Sequence, residues 1–94
     1  MPSYVTLIKV SGNKTSQVER GLKGLSQTPA TNVKLIGTWT SFGQYDGVCV
    51  FWAQNESDAM NFVSEHIRGI DGVLSTETLV AIPQAEFTPG ARER

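Results

Sequence analysis

Hydrophobic residues recur along this chain with two periods, one of two residues and one of three to four, and the periods alternate in blocks. Ser3 to Val10 is rich in β-branched and aromatic residues and predicts a first strand, broken by Ser11-Gly12-Asn13. Val18, Leu22 and Leu25 then fall at i, i+4 and i+7, the apolar stripe of a helix from Lys14 to Ser26. Ser16 and Glu19 have capping-box spacing, and Asn13 is an equally good N-cap. Gly21 and Gly24 each weaken that helix by about 1 kcal/mol relative to alanine, so packing must hold it, and small residues there would let it sit close to a sheet. Beyond the connector Thr28-Pro29-Ala30-Thr31, Val33 to Thr40 predicts a second strand. It places Val33, Leu35 and Trp39 on one face and Lys34, Thr38 and Thr40 on the other. Gly37 marks a bulge or a close approach to the backbone.

The most apolar stretch follows. A glycine-bounded turn, Phe42 to Asp46, leads into Gly47 to Ala53, so the second and third strands form a hairpin. A half-exposed strand alternates apolar and polar side chains, and this one does not. Val48, Val50 and Trp52 line one face, and Cys49, Phe51 and Ala53 the other. A strand apolar on both faces is normally covered on both. Asn55 then caps a second helix whose first turn holds Glu56 and Asp58, acidic groups suited to the positive helix end. Ala59, Val63, Ile67 and Ile70 form its stripe, flanked by Met60 and Phe62, and Gly69 or Gly72 ends it. Val73 to Ile82 alternates as a fourth strand, and Pro83 stops its pairing.

The order is βαββαβ, an α+β ferredoxin-like arrangement: a four-stranded antiparallel sheet, strand order 4-1-3-2, with both helices on one face. The doubly apolar third strand is then central, and its second face would be bare in a lone subunit. Such a patch is costly to leave in water. A homodimer packed sheet against sheet, as a dimeric α/β barrel, is the expected solution, with further association open. Residues 1–83 form the expected domain and 84–94 a partly mobile tail.

Composition narrows the function. The chain has 94 residues, 39% hydrophobic and 18% charged, which fits one small globular domain. A formal net charge of −1 gives no footprint for direct nucleic-acid binding. No apolar run reaches the roughly 20 residues of a membrane span, and Met1-Pro2-Ser3-Tyr4 has no signal-peptide character. With one cysteine no internal disulfide forms, and a cytoplasmic location is expected. One histidine and one cysteine do not build a zinc site from a single chain, and no cofactor is expected.

Several residues could carry chemistry. In the turn, Gly43 and Gly47 permit positive φ or close ligand approach, Tyr45 offers a ring and hydroxyl, and Asp46 a carboxylate for an ammonium group. The same residues also suit a plain hairpin in which Asp46 bonds the backbone and Tyr45 packs on a neighbour. His66 is either a general base or a surface side chain, with no nucleophile or orienting carboxylate at a fixed spacing. Trp39 and Trp52 either stack on a ligand or fill the sheet interface, the more common use. Thr76 and Thr78, with Ser75, either line a polar pocket at a subunit junction or are ordinary strand hydroxyls. Cys49 reads as a small core residue.

Gly43-Gln44-Tyr45-Asp46, followed by a strand, an acidic-capped helix and Gly72-Val73-Leu74-Ser75-Thr76-Glu77-Thr78, resembles the ligand-sensing (RAM) domain of Lrp/AsnC transcriptional regulators. The opening Met1 to Lys9 and Phe42 to Asp46 equally resemble the GYD-domain family of small proteins. Both resemblances imply dimeric α/β barrels. The first implies larger rings and an amino-acid effector bound where dimers meet, contacted by Gly43, Tyr45 and Asp46, with Thr76 and Thr78 as weaker contacts. The regulators carry an N-terminal helix-turn-helix, whereas this sequence starts at strand one, so action on DNA would need a partner. The expected function is a stand-alone sensor of an amino-acid-like metabolite. The alternative is a cofactor-free enzyme of monooxygenase type, using His66, Tyr45 or Trp39.

Overall fold

A computed structural model describes residues 2–25 and 32–82. In chain order these hold β1 (Ser3–Val10), α1 (Thr15–Gly24), β2 (Val33–Thr40), β3 (Gly47–Ala53), α2 (Glu56–Phe62), continued by a π-helical turn over Val63–Ile67, and β4 (Val73–Ala81). The strands form one sheet in the order β2-β3-β1-β4, every pairing antiparallel. This is the ferredoxin-like α+β arrangement expected from the hydrophobic pattern. The Thr28–Thr31 connector, Pro83 and the 84–94 tail lie outside the described residues.

Both helices cover one face of the sheet. The pattern of β1 and β3 dictates which: Tyr4, Thr6 and Ile8 alternate inward on β1, and Cys49, Phe51 and Ala53 on β3. Val18, Leu22 and Leu25 from the first helical region, and Ala59, Phe62, Val63 and Ile67 from the second, close over them. Phe51 is the centre, stacked on Tyr4 at 5.5 Å and tilted against Phe62 at 4.7 Å. Thr6 is fully buried and polar. Its Oγ1 lies 3.0 Å from Thr78 Oγ1, which satisfies both hydroxyls.

Three details of the sequence reading are corrected. Neither Asn13 nor Ser16 caps α1: the cap position is Lys14, without a side-chain bond, and its N–H donates to Ser11 O at 2.9 Å. Asn13 Oδ1 instead accepts from the Ser11 hydroxyl at 3.0 Å. Asn55 caps α2 as expected, accepting from Asp58 N–H at 2.9 Å. Gly21 serves not the sheet but the loop after α2: a Cβ there would stand 2.7 Å from Ile70 Cγ2.

The third correction concerns β2. Its register against β3 shifts between Leu35 and Gly37, leaving Ile36 as the extra residue of a bulge. The bulge inverts the alternation. Val33 and Leu35 face the helices, opposite Ala53 and Phe51, but beyond it Thr38 and Thr40 take that side. Trp39, opposite Val48, turns to the open face with Lys34. Gly37 makes this possible, since a Cβ there would lie 2.9 Å from the Trp39 ring.

Candidate functional site

The hairpin between β2 and β3 is built by its own polar groups. Gly43 has φ +119°, a conformation that suits glycine. Ser41 N–H donates to Asp46 O and Ser41 Oγ to Tyr45 O, both at 2.9 Å. Phe42, at the tip, is 97% exposed. The Asp46 N–H donates to Ile8 O at 2.8 Å, while its carboxylate Oδ2 accepts from Val10 N–H at 2.9 Å. The reason is geometric: β3 starts at Gly47, opposite Ile8, so β1 runs past it and Val10 has no β3 partner. Tyr45 reaches across β1 to β4, where its hydroxyl donates to Glu77 Oε1 at 2.5 Å. That bond to a carboxylate, together with partial desolvation and the charge of Glu77, raises the Tyr45 hydroxyl above its usual 10.0.

The expected site residues do not converge on one place. Gly43 and Tyr45 belong to the turn. Asp46 stands at the rim of a cleft of about 230 Å³ between α1 and the start of the hairpin, lined also by Val18, Glu19, Leu22, Lys23, Thr38 and Thr40. Thr76 and Thr78 line a different cavity of about 320 Å³, between α2 and β4, with Ser64, Arg68, Met60 and Leu74. Glu77, Tyr45's partner, points to the opposite side of β4 from these threonines. The resemblance implies all five residues as ligand contacts; within one subunit the geometry divides them.

His66 lines neither cavity and packs its ring 5.4 Å from that of Phe62. Trp52 lies on the open face under the Lys34 ammonium, 5.3 Å from the ring centroid. Cys49 is wholly buried, and burial pushes its thiol up to about 12. Among the described residues no group of three or more His, Cys, Asp or Glu could hold a metal ion, and no helix is long and apolar enough to cross a membrane.

Sequence reasoning missed Glu19, Lys23, Ser64 and Arg68. Each sits on the polar side of a helix, where a charge or hydroxyl reads as a solvated face. The signal available was spacing: Glu19 and Lys23 are i, i+4 neighbours beside the buried pair Val18 and Leu22.

No family model and no curated protein matches the chain. Solved structures do match. TTHA0845 from Thermus thermophilus is similar at 23% identity and a TM-score of 0.73, over 93% of this chain and 100% of that one. E. coli AsnC is similar at 16% identity and a TM-score of 0.72, over 93% of this chain and 54% of AsnC. The Neisseria meningitidis transcriptional regulator NMB0573, solved as an L-Met complex, is similar at 9% identity and a TM-score of 0.73, over 93% of this chain and 53% of that one. The chain thus spans about half the length of these regulators and all of the Thermus protein. The likeness to AsnC-type proteins carried by the turn and β4 motifs extends to the three-dimensional fold.

Proposed function

We propose that this chain is a small-molecule-sensing module of the Lrp/AsnC type, working as a homodimer or larger oligomer and binding an amino-acid-like metabolite beside the Gly43–Asp46 turn. The observation that carries the reading is the position of Asp46. The turn that carries the motif sets its carboxylate at the mouth of a cleft, and a carboxylate can accept about four hydrogen bonds, so the one from Val10 leaves room for an ammonium group. The fold shared with AsnC, and with a regulator solved with L-Met, supports the same reading. Any effect on transcription would pass through a partner that reads DNA.

The open face of the sheet supports the oligomer. Val48, Val50 and Trp52 on β3, Val5 and Leu7 on β1, Leu79 on β4 and Trp39 on β2 all project from it. A second copy offers the same apolar surface and closes the assembly by two-fold symmetry.

The test is a thermal melt against the twenty amino acids. A ligand at 100 times its dissociation constant stabilises by about 2.7 kcal/mol, a rise on the order of 10 °C for a domain this size. Asp46→Asn keeps an acceptor for Val10 and removes the charge, so it should fold and lose the rise. A flat response to all twenty, or an unchanged rise in Asp46→Asn, would count against the assignment.

A further inference from the structure

We infer that a second copy packs on the open face with its strands crossing these at about a right angle, so that Lys34 of each subunit pairs with Glu77 of the other. This rests on the homodimer reading above and adds which way round the partner lies. The placement of the charges decides the orientation. The centre of the open face is apolar, with Val5 opposite Val50. Its corners are Lys34 and Trp39 on the edge strand β2, opposite Trp52 and Val48, and Ala81 and Glu77 on the edge strand β4, opposite Ser3 and Leu7. Strands lie about 4.8 Å apart and rise about 3.4 Å per residue, so this patch is roughly square, about 14 Å on a side. Lys34 and Glu77 hold opposite ends of one diagonal. They stand about 20 Å apart, too far to pair within a subunit. Each is set in its corner by a neighbour: the Lys34 ammonium lies over the Trp52 ring, and Glu77 Oε1 accepts from the Tyr45 hydroxyl. Neither contact uses up the group, since an ammonium has three donors and a carboxylate accepts about four bonds.

Two copies that meet through the same face are related by a two-fold axis lying between the sheets. An axis along the strands sets Lys34 against the partner's Ala81 and Glu77 against the partner's Trp39. An axis across the strands sets Lys34 against the partner's Trp39 and Glu77 against the partner's Ala81. Both leave charges desolvated against apolar groups. An axis along the diagonal through Lys34 and Glu77 sets each charge against its own copy, which repels. The remaining diagonal, through Trp39 and Ala81, sets Lys34 against the partner's Glu77, and symmetry makes the pair twice. The same axis brings Trp39 against the partner's Trp39 and Trp52 toward the partner's Leu79, and it leaves Lys9 outside the covered patch, in water. A diagonal axis turns the strand direction through about a right angle, which is the orthogonal class of sheet packing.

Sedimentation equilibrium of the full chain, of two charge reversals and of their combinations tests this. Lys34→Glu and Glu77→Lys each set like charges together twice, and each should weaken the dimer about a hundredfold. Both side chains are exposed in the subunit, so the far-UV circular dichroism of each variant should match that of the unmodified chain. The doubly reversed chain makes both pairs again with the signs exchanged, and should associate within about threefold of the unmodified chain. An equimolar mixture of the two single variants should also associate, because every corner contact in the mixed dimer is then an opposite pair. If the unmodified chain is a dimer and the single reversals leave it so, or the double reversal fails to restore it, the copies lie another way round; the inference falls and the homodimer reading stands. If the unmodified chain is a monomer at micromolar concentration, both fall.

Discussion

On one side of the sheet Tyr4, Thr6, Ile8, Cys49, Phe51 and Ala53 lie under two helices, none more than 4% exposed. On the other, Trp52, Leu79 and Trp39 stand 36%, 46% and 54% exposed, although they are as apolar as what lies beneath the helices. The same strand, β3, supplies the centre of both faces. On the proposed reading, the contrast separates a face that the subunit covers itself from one that a second copy would cover. The closed face is finished by the chain's own helices, down to the paired hydroxyls of Thr6 and Thr78. The open face has an apolar centre on β1 and β3, with the polar Lys9, Lys34, Ser75 and Glu77 beside it.

If the closed face is the finished one, damage there should act within the subunit. Phe51→Ala removes the ring that Tyr4 and Phe62 pack against, and should cost about 3–5 kcal/mol in urea denaturation. A loss under about 1 kcal/mol would mean that the centre lies elsewhere. Cys49 probes the same face through pH. The native thiol keeps its proton up to about 12, while the unfolded one releases it from the usual 9.0. The unfolded state therefore binds fewer protons in that window, and stability falls as pH rises through it. The slope is about 1.4 kcal/mol per pH unit beyond that of Cys49→Ala. Equal slopes in the two proteins would show that Cys49 meets water.

Damage to the open face should act between subunits. Val50→Lys places a charge in the middle of that face, where the subunit alone leaves the side chain partly solvated. The far-UV circular dichroism should persist while dimer dissociation rises about a hundredfold or more, roughly 2.7 kcal/mol. Gly37→Ala is gentler. Its methyl would displace the Trp39 ring at 2.9 Å, and about a tenfold weakening of the dimer is expected by sedimentation equilibrium. A change in subunit stability with no change in association would contradict the assignment of Trp39 to that face.

Much of this contrast was legible in the sequence. The two-sided apolar run of β3 placed Cys49, Phe51 and Ala53 correctly against Val48, Val50 and Trp52, because period two survives wherever the ladder is regular. Trp39 was misassigned for the converse reason. A bulge at Ile36 breaks the period, and Gly37 signalled the break without saying that the alternation would invert beyond it. The helix caps divided likewise: Asn55 has a local partner three residues on, whereas Asn13 was drawn away by Ser11. The site was less legible than the fold. Asp46, Thr76 and Thr78 came from motifs, but their separation into two cavities depends on where on the one covered face of the sheet α1 and α2 lie. Glu19 and Lys23 carry no ligand-binding motif, and only the proximity of α1 to β2 brings them to the cleft.

Sedimentation equilibrium of the unmodified chain at micromolar concentration tests the central claim most directly. A fitted mass of twice the 10.2 kDa subunit or more is expected, because the open face needs a second layer. A single species of 10.2 kDa over that range, with Trp52 fluorescing as a water-exposed indole, would contradict it.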